Sequence, residues 1–195
     1  MQVLLLARHG QSLQNVAQTV NGDPALDRGL SKLGFEQATD LARQLIGITI
    51  DLCATSEFLR SQQTARLALA DRAETTATIV DHDLNDVRVG DLEGEKIDAY
   101  RAWKHAHTRA TAFPGGESLD GAARRYAAAF QRLLDRPERT LLCVCHEIPV
   151  RYAVNAALGS DELDGPLHDV ANATPYLFDP DGLRRAITRL RELAP

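Results

Sequence analysis

A chain of 195 residues, 44% apolar and 25% charged, has the length and balance of one soluble globular domain with a full-sized core. Its net charge, 22 − 27 = −5, argues against nucleic acid or an anionic membrane surface as the partner. No apolar run is long enough to span a bilayer, and a first strand starting at Val3 leaves no room for a secretory leader, so a cytoplasmic location is expected.

Val3-Leu4-Leu5-Leu6-Ala7 is a short apolar run that ends abruptly in Arg8-His9-Gly10, which reads as a buried parallel strand feeding a loop. Leu30, Leu33, Ala38, Leu41, Leu45 and Ile46 then recur at helical spacing behind Ser31, a suitable N-cap. Asp51 to Thr55 reads as a second strand, and Ser56 as the cap of a helix running to about Leu69. Thr78 to Val80 reads as a third strand. The stretch from about 90 to 118, which includes Phe113-Pro114-Gly115-Gly116, is the least regular and has the character of a lid or specificity insertion. In it Tyr100 and Trp103 could serve the core or the substrate mouth, while Lys96, Arg101, Lys104, His105, His107 and Arg109 read as a solvated helix face, with contact to a polyanionic or carboxylated substrate as the alternative.

Leu119 to Leu134 carries a continuous helical stripe, and Thr140 to Cys145 is a fourth buried strand. Val150 to Leu158 forms a further helix that ends at Gly159. Pro175 to Phe178 and Leu183 to Leu190 read as two late strands joined by Asp179-Pro180-Asp181-Gly182, with helix as the alternative for the second. The alternation predicts a single three-layer α/β/α domain over 1–195, with a mostly parallel central sheet and helices on both faces. Cys53, Cys143 and Cys145 all fall in strand-like segments, so buried thiols are expected rather than disulfides. Cys143-Val144-Cys145-His146 has a spacer too short for the usual zinc-ligand pattern, and no metal is expected.

The polar residues that matter share one kind of position. Arg8 and His9 follow the first strand, Arg60 opens the helix after the second, Asp86 follows the third, and His146 ends the fourth. In a parallel sheet these ends converge on one edge, where ligand crevices form. The chemistry is complementary. A neutral imidazole can attack phosphorus, two arginines can grip phosphoryl oxygens through their forks, and a second histidine, if protonated, can donate to them. Asp86 would be the acid for the leaving alkoxide, with a pKa raised enough to hold a proton.

Leu5 to Asn15, LLARHGQSLQN, resembles the signature of the histidine phosphatase superfamily, also called the phosphoglycerate mutase-like family. The resemblance continues through Leu30-Ser31 with Gly34, Gln37 and Ala38; Thr55 to Arg60 with Thr64-Ala65; and Leu84-Asn85-Asp86 with Gly90, Glu93 and Gly94. It ends in Gly116-Glu117-Ser118 with Arg125, and in Val144-Cys145-His146. It implies that His9 is transiently phosphorylated and that Arg8, Arg60 and His146 form the phosphate pocket. It adds Asn15 as a phosphate contact and Ser12, Asn21 and Gly22 at substrate-contacting positions of the mutases. Asp86 stands where the family often has glutamate. No metal or organic cofactor is implied.

Glu147 replaces the glycine usual after the second histidine. At the first turn of a helix a glutamate suits the dipole, so its side chain is expected to face solvent and its backbone N–H to meet phosphate. His82, His105, His107 and His168 lack motif support and are expected at the surface. Val89 stands where the mutases carry a substrate-binding tyrosine, and Arg109 is alone where they have two arginines. Hydrolysis is therefore preferred. The expected activity is a metal-independent phosphomonoesterase that uses a phosphohistidine intermediate on a small phosphorylated metabolite. The alternatives are mutase-type phosphoryl transfer and a phosphate-binding module without turnover. The oligomeric state is left open.

Overall fold

Alternate side chains of Val3–Arg8 (β1) explain why both faces of the sheet must be covered. Leu4 and Leu6 point into one apolar cluster and Leu5 and Ala7 into another, all four at 3% exposure or less. The computed structural model describes residues 1–72 and 74–195. The other strands are Leu52–Thr55 (β2), Ala77–Val80 (β3), Thr140–Cys145 (β4) and Pro175–Phe178 (β5). The sheet order is β3-β2-β4-β1-β5, with the first four strands parallel and β5 antiparallel against β1. The expected three-layer architecture is therefore observed.

Among the described residues are seven α-helices: Leu13–Ala17 (α1), Lys32–Gln44 (α2), Leu59–Ala68 (α3), Ile97–Ala106 (α4), Leu119–Leu134 (α5), Glu147–Ala157 (α6) and Pro180–Leu193 (α7). Leu41 and Leu45 with Ala65 and Ala68 bring α2 and α3 onto the face of Leu5 and Ala7. Tyr126, Phe130, Tyr152, Leu183 and Ile187 bring α5, α6 and α7 onto the other. In the α2 stripe Leu33 and Ile46 are exposed, so the buried face is narrower than the pattern implied.

Two expectations are corrected. Leu183 to Leu190 is helix, not strand: Leu183, Ala186, Ile187 and Leu190 follow a 3.6-residue period and are buried. Asp179 is the N-cap, accepting the Gly182 N–H, with Pro180 at the first helical position, so the presumed hairpin turn is a helix start. Ser56 does not cap α3. The residue before that helix is Phe58, which offers no side-chain cap, and the Arg60 N–H is instead taken by the distant carboxylate of Asp27 (2.8 Å). The 90–118 stretch, irregular by its sequence, also holds regular structure, because α4 occupies ten of its residues.

The register places the site. Arg8 lies beside Cys145 and Thr55 beside Val144, so the residues that follow β1, β2 and β4 emerge as neighbours. The loop after β1 crosses the start of α2 at close range: a Cβ on Gly34 would stand 2.0 Å from the Gln11 carbonyl oxygen. Gly34→Ala is expected to lower stability by about 1–3 kcal/mol, read as a fall in Tm, because backbone has to shift to admit the methyl group.

Candidate active site

His9 stands at the first strand end and is 3% exposed. Its loop is clamped from two sides: Thr64 Oγ1 accepts the Gly10 N–H at 3.0 Å, and Asn172 Nδ2 donates to the His9 carbonyl at 2.7 Å. The ring tautomer follows from its partners. Nδ1 lies 2.6 Å from the Gly10 carbonyl oxygen, which can only accept, so Nδ1 carries the proton. Nε2 then presents a lone pair, which accepts from Arg60 Nε at 3.0 Å. Burial, followed by the charges of Arg60 and Arg8, holds the His9 pKa well below the usual histidine value. The imidazole is neutral, with its unprotonated nitrogen facing the arginine.

Arg60, on the first turn of α3, is the hub. Its Nη1 donates to Asn21 Oδ1 (2.5 Å), and its Nη2 lies 3.3 Å from His146 Nδ1 and 3.4 Å from Asp86 Oδ2. The guanidinium packs over the Phe58 ring at 4.1 Å. Asp27, whose side chain is fully buried, approaches Nη1 at 3.4 Å while capping the Arg60 amide.

His146 sits edge-on to His9, with ring centroids 5.3 Å apart. A guanidinium can only donate, so Nδ1 is an acceptor and Nε2–H donates to Ser56 Oγ at 2.9 Å. Burial and then Arg60 and His9 press its pKa well below the ordinary value. In the free protein the second histidine is thus neutral, and becoming a donor toward phosphate requires it to gain a proton.

Asp86 Oδ2 is 3.6 Å from His146 Nδ1, and Oδ1 accepts the Val87 N–H. Burial raises its pKa and Glu147 adds to this. Arg60, the Val87 amide and Arg8 oppose the shift without cancelling it. Its loop is pinned from α5 by Arg125, which donates to the carbonyls of Asp83, Asn85 and Asp86 and pairs with Glu117 at 2.5 Å.

Arg8 donates from Nη1 to the Val170 carbonyl and pairs with Glu147 Oε2, both at 2.9 Å, while its buried Nε has no partner among the described residues. The Glu147 expectation is corrected here. Its carboxylate does not face free solvent but bridges Arg8 and Arg151, the latter at 3.3 Å one helical turn on. Two guanidinium groups lie within reach of a carboxylate side chain that is only about one-third exposed.

Ser12 and Asn15 form a reciprocal capping box at α1: Asn15 N–H donates to Ser12 Oγ, and Ser12 N–H to Asn15 Oδ1. The Asn15 amide nitrogen is left uncommitted among the described residues. Asn21 is spent on Arg60 and on Glu93, and the Gly22 N–H goes to Glu93 Oε2 at 2.6 Å. Gly22 does not line the cavity. Arg8, His9, Ser12, Asn15, Asn21, Arg60, Asp86 and Glu147 all do, in a space of about 690 Å³. Among the described residues, no three of His, Cys, Asp or Glu are grouped so as to hold a metal ion.

Helix α4 contributes to the cavity wall. Ile97, Tyr100, Arg101, Lys104 and His105 of α4 reach the cavity, so that helix is not simply a solvated face. Tyr100 both lines the cavity and stacks on Phe113, Trp103 packs on Phe113 and His107, and the exposed His168 also lines the cavity. Asp27, Ser56 and Glu93 were not singled out from sequence as site residues. Asp27 and Glu93 lie in stretches without periodicity, and Ser56 suited the cap role better.

Comparison with known proteins agrees with this geometry. The family model for the histidine phosphatase superfamily, branch 1, matches residues 4–192. A 2,3-bisphosphoglycerate-dependent phosphoglycerate mutase from Methylobacterium sp. (strain 4-46) is 36% identical over 148 residues, 70% of each chain. The alpha-ribazole phosphatase of Shigella flexneri superposes with a TM-score of 0.77 at 28% identity, covering 91% of this chain and 90% of that one. A mycobacterial glucosyl-3-phosphoglycerate phosphatase gives 0.71 at 26% identity, covering 90% and 89%. No helix of the described residues is long and apolar enough to cross a membrane. The match over nearly the whole chain, with His9, Arg8, Arg60 and His146 gathered at one sheet edge, means that the chain belongs to the histidine phosphatase superfamily, branch 1.

Proposed function

We propose that the protein is a metal-independent phosphomonoesterase acting on a small phosphorylated metabolite, in one domain whose 90–118 insertion shapes specificity. The observation that carries this reading is the neutral His9, its Nε2 lone pair turned toward Arg60 in the cavity that Asp86 also lines. A phosphate dianion entering there takes over the Arg60 donors and the unpartnered Arg8 Nε. Nε2 then forms a bond to phosphorus as the ester P–O bond breaks, and the Asp86 carboxyl gives its proton to the departing alkoxide. In the second half Asp86 carboxylate takes a proton from water as the water oxygen attacks phosphorus and the P–N bond breaks. The guanidinium groups neutralise the transferring group throughout, so no step calls for a metal.

The names of the sequence relatives favour mutase transfer as a second reading. Against it, Val89 lines the cavity without a hydroxyl, and Arg109 is committed to Asp120 (3.0 Å) and the Tyr152 hydroxyl (2.9 Å). A panel of phosphomonoesters assayed in the presence of chelator, with 3-phosphoglycerate and a bisphosphoglycerate primer alongside, separates the readings. Release of phosphate from several esters supports hydrolysis. Isomerisation without release supports the mutase, and phosphate binding without either reaction supports a binding module.

Asp86→Asn tests the acid. Alkyl phosphates, whose leaving groups need a proton, are expected to slow by about 10²–10⁴-fold, and nitrophenyl phosphate far less. Because the Asp86 pKa is raised, its protonated form persists above the usual carboxylate range and is lost as pH rises. The alkyl-ester rate should decline along that limb in the wild type and lose the limb in Asp86→Asn. Equal losses for alkyl and aryl esters would remove Asp86 from the role.

A further inference from the structure

Beyond the phosphate pocket, the cavity wall carries three cations, Arg101, Lys104 and Arg151, against three anions, Glu147, Asp164 and Asp169. These charges are largely committed to one another. Arg151 pairs with Glu147 at 3.3 Å and Asp164 at 2.7 Å, and Lys104 approaches Asp164 at 3.6 Å. Arg109 reaches Asp164 from behind at 3.4 Å. Glu147 also draws on Arg8, so even the phosphate clamp shares its charge with a carboxylate. Arg101 and Asp169 are the exceptions: the Arg101 side chain is mostly exposed and pairs with Asp98 of its own helix, where solvent screens it, and the exposed Asp169 has no ion-pair partner among the described residues.

We infer that this wall selects phosphate esters of an uncharged, hydroxyl-rich leaving group and discriminates against esters bearing a second anion. The inference rests on the phosphomonoesterase reading and names its substrate class. A carboxylate or second phosphate seeking the Arg151 guanidinium would have to displace Glu147 or Asp164 from it and then sit beside the displaced charge, while Arg101 offers only a solvent-screened cation. Specificity built from such opposing charge rejects the wrong ligand more strongly than it holds the right one. Hydroxyl groups meet no such opposition. They donate to the carboxylate oxygens of Glu147 and Asp169, and they can engage the Tyr100 hydroxyl, which has no partner among the described residues.

Glycerol 3-phosphate and 3-phosphoglycerate make a matched pair, because they differ only in a CH₂OH against a carboxylate. For the wild type, kcat/KM is expected to favour glycerol 3-phosphate at least tenfold. Glu147→Gln and Asp164→Asn, both near-isosteric, should each shift that ratio several-fold toward 3-phosphoglycerate by removing one negative charge. Calorimetric binding of the two ligands to His9→Ala protein gives the same preference without turnover, which keeps the two questions apart. Preserved binding preference with no wild-type hydrolysis would defeat the phosphatase reading and leave the charge inference standing. A wild type that prefers 3-phosphoglycerate, or a ratio unmoved in both variants, would overturn the inference.

Discussion

His9→Ala is expected to lower turnover of every phosphomonoester by about 10⁴-fold or more, while the fold is kept. The argument rests on the ring nitrogen rather than on the residue type. Nδ1 is fixed as the protonated nitrogen by the Gly10 carbonyl, so Nε2 is the atom with a free pair, and a pKa held well below the ordinary value keeps it unprotonated into mildly acidic solution. His146 holds a comparable lone pair, on Nδ1 toward Arg60, but it does not line the cavity as His9 does. The second ring, His146, has its Nε2 engaged with Ser56 and is fully buried. Rapid quench of the wild type with a ³²P-labelled ester should trap label on protein in an acid-labile, alkali-stable linkage, and His9→Ala should trap none. The alanine leaves Arg60 Nε without its acceptor but leaves the Thr64 and Asn172 clamps on the loop, so Tm should move by only a few degrees. Turnover retained at the wild-type level in His9→Ala would defeat the mechanism.

The parts of the fold that were legible in the sequence are those dictated by burial. β1 and β4 are central strands covered on both faces, and such strands must be apolar throughout, which makes them and their polar ends visible. Once four strands are taken as parallel, the gathering of Arg8, His9, Arg60, Asp86 and His146 follows from topology alone. The parts that were not legible turn on competition between equally good local solutions. Asp179-Pro180-Asp181-Gly182 suits a turn as well as a capped helix start, and only the period of the next eight residues separates them. Glu147 suits a hydrated first turn as well as an ion pair. The deciding partner, Arg8, arrives from β1, although Arg151 four residues on was a local hint. Tertiary charge pairing leaves little trace in a linear pattern.

Arg60 and Asp27 carry the largest expected effect on stability as well as on rate. Arg60→Ala removes the donor to His9 Nε2 and one arm of the phosphate clamp, so turnover should fall by about 10³-fold or more. It also leaves the Asp27 carboxylate, fully buried, without its guanidinium partner. Breaking a buried pair from one side costs about 3–5 kcal/mol, and at this chain length each kcal/mol moves Tm by about 2–4 °C, so a fall on the order of 10 °C is expected. The two consequences separate in the double variant. Asp27→Asn in the Arg60→Ala background discards the stranded charge while its amide oxygen can still accept the residue 60 N–H, so part of the lost Tm should return with no return of activity. Arg60→Lys restores the charge but not the fork that spans His9, Asn21 and Asp86, and should recover stability more than rate. A thermal melt of Arg60→Ala that matches wild type would show that Asp27 is held by its backbone contacts alone. The ion pair would then serve the clamp without serving the fold.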